Sequence, residues 1–91
     1  MTKEEIAEYI EKEFFITYKS VKVIYKDNKI FYGFFQNFAD QKELKKEFKY
    51  RFVPNNNASA FHEELGSNGK LNPAHSIIID CTKIAKIELV H

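Results

Sequence analysis

The spacing of apolar residues near the start of the chain is helical. Ile6, Ile10 and Phe14 recur at intervals that place them on one face of a helix. Thr2 is followed three residues later by Glu5, the pattern of a capping box in which each side chain bonds the backbone of the other residue. The pattern predicts a helix over residues 3–14, with an apolar face that must pack against other elements.

Beyond residue 20 the spacing changes to the alternation of half-buried strands. Val21, Val23 and Tyr25 occupy every second position, as expected for a strand with one buried face. The turn residues Asp27 and Asn28 separate this run from the next one. Continued along the chain, the same reasoning predicts five strands, over residues 21–26, 30–38, 48–52, 76–80 and 85–90.

Glycine and proline interrupt these runs. Gly33 lies in the middle of the second strand, where glycine indicates a sharp bend or a close approach of another backbone. Pro54 ends the third strand, and residues 55–73 form an insertion outside the sheet. Within it, residues 58–65 are predicted to form a short helix that Gly66 stops. Residues 81–83 suffice for a turn or a single 3₁₀ step.

These elements predict an α+β fold: an N-terminal helix packed on a small five-stranded barrel, with a short helical insertion between strands 3 and 4. A strand that bends at mid-length and is apolar on both sides is what a small barrel needs to turn a corner. The 91 residues are too few for two independent cores, so we expect a single domain over residues 1–91. Nine Phe and five Tyr supply a core, because each aromatic side chain buries about 150–250 Å².

The pattern around Gly33 resembles the first motif of the Sm-like family, and the segment from Ile79 to Ile87 is similar in spacing to its second motif. The matching positions are Val23, Tyr25, Asn28, Ile30, Gly33, Phe35 and Phe38, then Ile79, Asp80, Cys81, Ile84 and Ile87. The resemblance covers residues 3–44 and 77–90, with a long insertion between them. It implies an SH3-like (Sm-like) barrel behind the N-terminal helix.

The positions that contact RNA in that family differ in this chain. Ala39 and Glu43 stand where the family has Asp and Asn, and the pair Asp80-Cys81 stands where it has Arg-Gly. An aspartate in that place repels phosphate. The resemblance therefore implies the barrel without the family's binding of uridine-rich RNA.

Residues with catalytic or metal-binding potential are few. His62, His75 and His91 lack metal-ligand spacing, and Cys81 is the single cysteine. We interpret Cys81 as a buried structural thiol, since no base and no orienting group can be named for a nucleophile. The sequence thus predicts a protein that is not an enzyme, with no catalytic residue, no metal site and no cofactor.

The same features bear on location. One cysteine cannot form an intramolecular disulfide. The first residues also lack the basic segment followed by an apolar run that is typical of a signal peptide. No apolar stretch approaches the about 18 residues that a membrane-spanning helix needs. We therefore expect a cytoplasmic protein that does not contact membranes.

Charge is distributed unevenly, although the formal net charge is only +1. Residues 1–15 hold two lysines and five glutamates, whereas residues 16–51 hold eight lysines and one arginine against four carboxylates. Lys22, Lys26, Lys49 and Arg51 occupy outward positions on the first and third strands, where cations beside aromatic rings would hold single-stranded nucleic acid. This hypothesis is the less favoured one, because outward strand positions are polar in any sheet and lysine protects edges from aggregation.

The last strand suggests a different function. Ile84, Ile87 and Leu89 make it apolar on both faces, which indicates a covering partner, either the protein's own helix or another chain. The leading prediction is a non-enzymatic interaction module that binds an unidentified protein partner or associates with itself as a dimer or ring. A small-molecule or enzyme site around residues 55–75 is the least favoured alternative.

Overall fold

The computed structural model describes residues 2–15 and 19–90, so that His91 lies outside the described part. Helix α1 spans Lys3–Tyr9 and continues as a π-helical segment over Ile10–Phe14. The Glu5 backbone N–H donates to Thr2 Oγ1 at 3.2 Å, and the Thr2 backbone N–H donates to Glu5 Oε1 at 3.0 Å. The helix predicted over residues 3–14 and its capping box are confirmed.

The five strands form one antiparallel sheet. They are β1 (Val21–Tyr25), β2 (Ile30–Phe35), β3 (Lys49–Pro54), β4 (Ile77–Asp80) and β5 (Ile84–Leu89). Their order across the sheet is β4-β3-β2-β1-β5. The α+β fold, with its N-terminal helix and five strands, is therefore confirmed. β4 and β5 form the two edges and are not paired with each other, so the sheet is not closed and the barrel stays a prediction.

Two further helices lie between strands. Helix α2 (Gln41–Lys45) connects β2 to β3, and helix α3 (Asn55–Asn68) connects β3 to β4. The prediction for α3 was too short at both ends, because the helix starts directly after Pro54 and runs through Gly66. It ends where Gly69 adopts a left-handed φ of 67° and donates its N–H to the Leu65 carbonyl. Pro73–His75 and Cys81–Lys83 form 3₁₀ turns, and the second is one of the two alternatives predicted for residues 81–83.

Several strand boundaries differ from the prediction. β2 ends at Phe35, and Phe38 packs instead in a separate cluster under α3. β3 begins at Lys49, because Phe48 has a φ of 58° that a strand cannot contain. β4 was predicted to be buried, yet Ile78 is 46% exposed and only Ile79 of this strand is fully enclosed. One side of β4 thus faces solvent, and three consecutive isoleucines give no sign of this in the sequence.

The inner face of the sheet carries the main core. Helix α1 packs Ile6, Ile10 and Phe14 against it. The strand residues of this core are Val21, Val23, Tyr25, Phe35, Tyr50, Phe52, Ile79 and Ile84, joined by Cys81. The acidic helix also meets the basic part of the chain, since the Lys45 ammonium lies 2.9 Å from a Glu11 carboxylate oxygen.

The outer face is covered by α3 over part of its width. Phe34 of β2 and Val53 of β3, which are cross-strand partners, pack with Phe61 of α3 and with Phe38. Phe34 is therefore buried although it points away from the main core, and the sheet has apolar contacts on both faces at β2.

Gly33 lies where the backbone of β3 comes close to β2. A Cβ atom on this residue would overlap the Val53 carbonyl oxygen and would lie 2.8 Å from Phe52 Cε1 and 2.9 Å from Pro54 Cα. Of the bend and the close approach that a glycine here indicates, the structure shows the close approach, and its physical reason is the backbone of β3.

The two edges come near each other at one end of the sheet. The Tyr25 hydroxyl, on β1, accepts the backbone N–H of Asp80 at the end of β4 at 3.0 Å. Only the three residues of the 3₁₀ turn then separate β4 from β5. The sheet must curve strongly for two strands so close in sequence to lie at opposite edges.

Candidate interaction site

A cavity of about 560 Å³ opens between α3 and the outer face of the sheet. Its lining residues are Ser20, Phe34, Gln36, Asn55, Ala58, Phe61, His62, Leu65 and Leu71. The volume lies within the range of about 300–1,000 Å³ that is usual for ligand pockets.

The register of the strands explains why the cavity forms. Val21 lies opposite Gly33, so Ser20, just before β1, lies beside the large Phe34 ring. Helix α3 covers Phe34 and Val53 through Phe61 but does not cover β1. Because serine has a small side chain, a hollow remains between the side of the helix and the uncovered end of β1.

Three aromatic rings form one wall of the cavity. The His62 and Phe34 rings are stacked, with centroids 5.5 Å apart and an interplanar angle of 14°. The Phe61 ring meets both edge-on, at 5.7 Å from Phe34 and 5.3 Å from His62. These separations fall within the favourable range for aromatic pairs, about 4.5–7 Å, so the wall is held in one arrangement.

The polar groups of the cavity have spare hydrogen-bonding capacity. Gln36 is only 8% exposed, and its one side-chain hydrogen bond in the described structure is a long contact of 3.5 Å from Nε2 to the Asn37 carbonyl oxygen. Its Oε1 atom accepts no hydrogen bond from the described residues. Asn55 also lines the cavity, at the first turn of α3. The Gln36 Oε1 atom is not among the described buried atoms that lack a hydrogen-bond partner, so water in the cavity reaches it, and a bound donor would take the place of that water.

The rim residue Leu71 belongs to a loop that is tied to α3. The Glu64 carboxylate lies 2.6 Å from His75 Nε2 and accepts from Asn72 Nδ2 at 3.0 Å. These hydrogen bonds lower the pKa of Glu64 below its usual value, because they favour the ionised carboxylate. Asn72 and His75 thus tie the loop to Glu64 of α3, and these contacts keep Leu71 at the rim of the cavity.

The edge of β5 is the second feature of interest. The Val90 N–H donates to the Ser20 carbonyl at 3.0 Å, so Val90 and Ser20 form a hydrogen-bonded pair. In an antiparallel pair such residues alternate with non-bonded ones. The N–H groups of Ile87 and Leu89 therefore point away from β1, toward an edge on which no described strand lies.

The three predicted residues of this edge differ in accessibility. Ile84 is buried in the core and Ile87 is half-buried, whereas Leu89 is 42% exposed and the adjoining Val90 is 41% exposed. Lys86 and Glu88 occupy the outer face of β5, where they pair with each other at 2.9 Å. The accessible apolar part of this edge is thus the C-terminal end of β5, at Leu89 and Val90 beside Ser20.

The opposite edge is partly satisfied within the chain. The Cys81 N–H donates to the Phe48 carbonyl, so the N–H groups of Ile78 and Asp80 point away from β3. The Tyr25 hydroxyl accepts the second of these two N–H groups. β4 therefore offers a shorter run of free backbone groups than β5 does.

Three of the four predicted cations, Lys22, Lys49 and Arg51, lie on the outer face of the sheet, whereas β1 ends at Tyr25 and the prediction that places Lys26 on this strand is wrong. Arg51 is 18% exposed in its side chain and holds Asp40 with three hydrogen bonds of 2.7–3.0 Å. Lys49 lies 3.8 Å from Glu47, and Lys22 lies over the Tyr32 ring at 5.8 Å. Lys26 is exposed in the turn after β1.

The strand order does bring Lys22 and Arg51 to the same face, because β1 and β3 both flank β2. Lys22 lies opposite Tyr32, while the Arg51 carbonyl accepts from the Gln36 N–H, four residues farther along. They are therefore separated by about 13 Å along β2. The guanidinium of Arg51 lowers the pKa of Asp40 and is neutralised by it. The nucleic-acid face stays a prediction.

The one residue considered as a nucleophile is enclosed. Cys81 is buried, and burial raises the pKa of its thiol to about 12, so it is protonated at neutral pH. Burial likewise raises the pKa of Tyr50, with the nearby Glu11 carboxylate adding to the effect. Within residues 2–15 and 19–90, no group of three or more His, Cys, Asp and Glu side chains could hold a metal ion. No helix in the same ranges is long and apolar enough to cross a membrane.

Sequence reasoning missed the residues that form the cavity. The insertion was considered as a site, but the ring pair Phe34–His62 and the buried Gln36 were not. One signal was present: β2 is apolar on both sides, with Phe34 next to Phe35. Such a strand must be covered on both faces, which points to an element packing on the outer face.

Comparison of the chain with protein-family models, with curated proteins and with solved structures finds no match in any of the three. The resemblance to the Sm-like family therefore rests on the positions given above alone.

Proposed function

We propose that this chain is a non-enzymatic interaction module that binds an extended segment of another protein, or of a second copy of itself, along the free edge of β5. The observation that carries the proposal is the pair of outward N–H groups at Ile87 and Leu89, next to the exposed Leu89 and Val90 side chains. An added strand gains affinity from main-chain hydrogen bonds and specificity from side-chain pockets beside the edge.

The proposal includes an SH3-like (Sm-like) barrel as the fold class and the cytoplasm as the location. The strand order, with β4 and β5 adjacent in sequence but at opposite edges, supports strong curvature. So does the hydrogen bond that links Tyr25 of β1 to the end of β4. A segment added between the two edges would extend the sheet toward closure.

The test is a selection of short random peptides by display on the purified protein, followed by binding measurements on two variants at one position. In Leu89→Pro the ring replaces an N–H that points away from β1, so the β1–β5 hydrogen bonds are kept while the edge is blocked. Leu89→Thr is the matched control, because it keeps the N–H and removes the aliphatic side chain.

We expect peptides that bind the wild type and, with the loss of the leucine contact alone, Leu89→Thr, and that bind Leu89→Pro about five- to a hundredfold more weakly than Leu89→Thr, as a lost hydrogen bond predicts. Circular dichroism must show that both variants are folded. Sedimentation equilibrium on the wild type tells whether a second copy occupies the edge. If no peptide is enriched and the protein stays monomeric at the highest soluble concentration, the proposal is wrong.

A further inference from the structure

We propose that the cavity beside α3 receives a tyrosine or tryptophan side chain from the same segment that pairs with β5. This inference rests on the proposed function and specifies the chemistry of the partner. Its basis is the combination of an aromatic wall, an amide oxygen of Gln36 that faces the cavity without a protein donor, and a surface leading from the cavity to the end of β5.

The aromatic wall selects for a ring. The stacked His62 and Phe34 rings present a flat surface, with Phe61 meeting both edge-on. A further ring placed in the cavity can continue this edge-to-face arrangement. Each such aromatic pair strengthens binding by about two- to twelvefold beyond the burial of area.

The polar lining selects among aromatic side chains. Gln36 is more than nine-tenths buried and its Oε1 has no donor among the described residues. The phenolic O–H of tyrosine and the indole N–H of tryptophan are donors, whereas phenylalanine has none. An amide acceptor in this position favours the first two, because a phenylalanine would leave Oε1 without a partner.

The charges around the cavity exclude an ionised occupant. None of the nine lining residues is Asp, Glu, Lys or Arg. A carboxylate or ammonium group placed there would lose its hydration without gaining an opposite charge. The occupant is therefore an uncharged side chain.

The cavity and the β5 edge are parts of one surface. Ser20 lines the cavity and also lines a smaller hollow formed with Lys19, Leu89 and Val90. A strand added to β5 would lie about 10 Å from β1, since neighbouring strands are about 4.8 Å apart. Three extended residues span that distance at about 3.3 Å each, so one segment can pair with β5 and reach the cavity.

The size of the cavity is consistent with this occupant together with its flanking atoms. About 560 Å³ exceeds a single side chain, and the exposed Leu71 at the rim offers a contact for a neighbouring residue of the segment. A free small molecule would need the cavity alone and would be indifferent to changes at Leu89.

The first experiment uses the isolated side-chain analogues indole, p-cresol and toluene, followed by chemical-shift changes of the protein's backbone amides. We expect saturable shifts at Phe34, Gln36 and Ala58 with indole and p-cresol, and weaker binding of toluene by about tenfold. In Gln36→Leu this preference should disappear. Equal binding of all three analogues to the wild type, or no shifts in these residues, would overturn the inference.

Two alanines of α3 supply a matched pair of variants. Ala58 lines the cavity, whereas Ala60 is exposed and does not. Ala58→Trp fills the cavity and should abolish analogue binding, while Ala60→Trp should leave it unchanged. If Ala58→Trp does not fold, Leu71→Ser removes part of the rim at an exposed position and should weaken binding of indole.

The peptide selection separates this inference from the proposed function. Peptides enriched on the wild type should share a tyrosine or tryptophan at a fixed distance from the paired residues, and should lose this requirement on Ala58→Trp. Enriched peptides that depend on the Leu89 N–H but carry no such aromatic residue would refute the inference alone. An absence of enriched peptides, with indole still bound in the cavity, would refute the proposed function and with it the side-chain occupant.

Discussion

Replacing Gly33 by alanine is predicted to separate β2 from β3. The new Cβ would overlap the Val53 carbonyl oxygen and crowd Phe52 and Pro54, and two of these three contacts are with backbone atoms that cannot rotate away. The pairing of β2 with β3 is short, extending from Gly33–Pro54 to Phe35–Phe52. Moving the two strands apart at Gly33 therefore disturbs the whole pairing of β2 with β3.

The magnitude follows from two contributions. Overpacking of a well-filled core costs about 1–3 kcal/mol, and each net backbone hydrogen bond lost costs about 1 kcal/mol. With one such hydrogen bond lost, we expect Gly33→Ala to lower the free energy of unfolding by about 2–4 kcal/mol, a large share of the about 5–14 kcal/mol expected for a chain of this length.

Urea denaturation followed by circular dichroism measures this difference, with a second glycine as the control. Gly66 lies inside α3, and a Cβ atom there would have no neighbour within 4 Å. Gly66→Ala should therefore stabilise the protein by about 0.5–1 kcal/mol, because alanine has the higher helix propensity. A loss below about 1 kcal/mol in Gly33→Ala would refute the reasoning, since the strands would then not approach as described.

Three further outcomes follow from individual side chains. The Tyr50 hydroxyl is fully buried without a hydrogen-bond partner among the described residues. Tyr50→Phe should therefore leave the free energy of unfolding unchanged or raise it by about 1 kcal/mol. A decrease of more than about 1 kcal/mol in urea denaturation would mean that the hydroxyl bonds Glu11. Arg51 lowers the pKa of Asp40 in the folded state, so this stabilisation is present above the unfolded pKa near 3.8 and is lost as the pH falls through the lower folded value. Asp40→Asn should therefore reduce the loss of stability below pH 3.8 in acid titrations, and an unchanged titration would contradict the pairing. Glu64→Gln should speed hydrogen exchange in the loop after α3, with Glu63→Gln as the control; equal exchange in the two variants would show that the carboxylate does not hold the loop.

The sequence was sufficient for features that depend on short-range spacing. The Thr2–Glu5 capping box, the alternation in β1 and the turn at Asn28, which adopts a φ of 72°, are set by neighbouring residues. Gly33 was also informative, because a glycine inside a strand has few explanations other than a bend or a close neighbour.

Features that depend on packing between distant elements were not predictable. The start of α3 directly after Pro54 was missed because three consecutive asparagines are typical of a loop. The first turn of a helix nevertheless accommodates asparagine. The end of β2 is set by Phe38, which packs under Phe61 more than twenty residues later. The cavity has the same origin, since it exists only because α3 stops short of β1.

The central claim is that the free edge of β5 binds an extended segment through its backbone. The most direct test is the affinity of one selected peptide for the wild type, Leu89→Thr and Leu89→Pro, measured by calorimetry on proteins that circular dichroism shows to be folded. The account predicts that Leu89→Thr loses only the contact of the leucine side chain, and that Leu89→Pro binds about five- to a hundredfold more weakly than Leu89→Thr. Equal affinities for all three proteins would show that the backbone of β5 takes no part in binding.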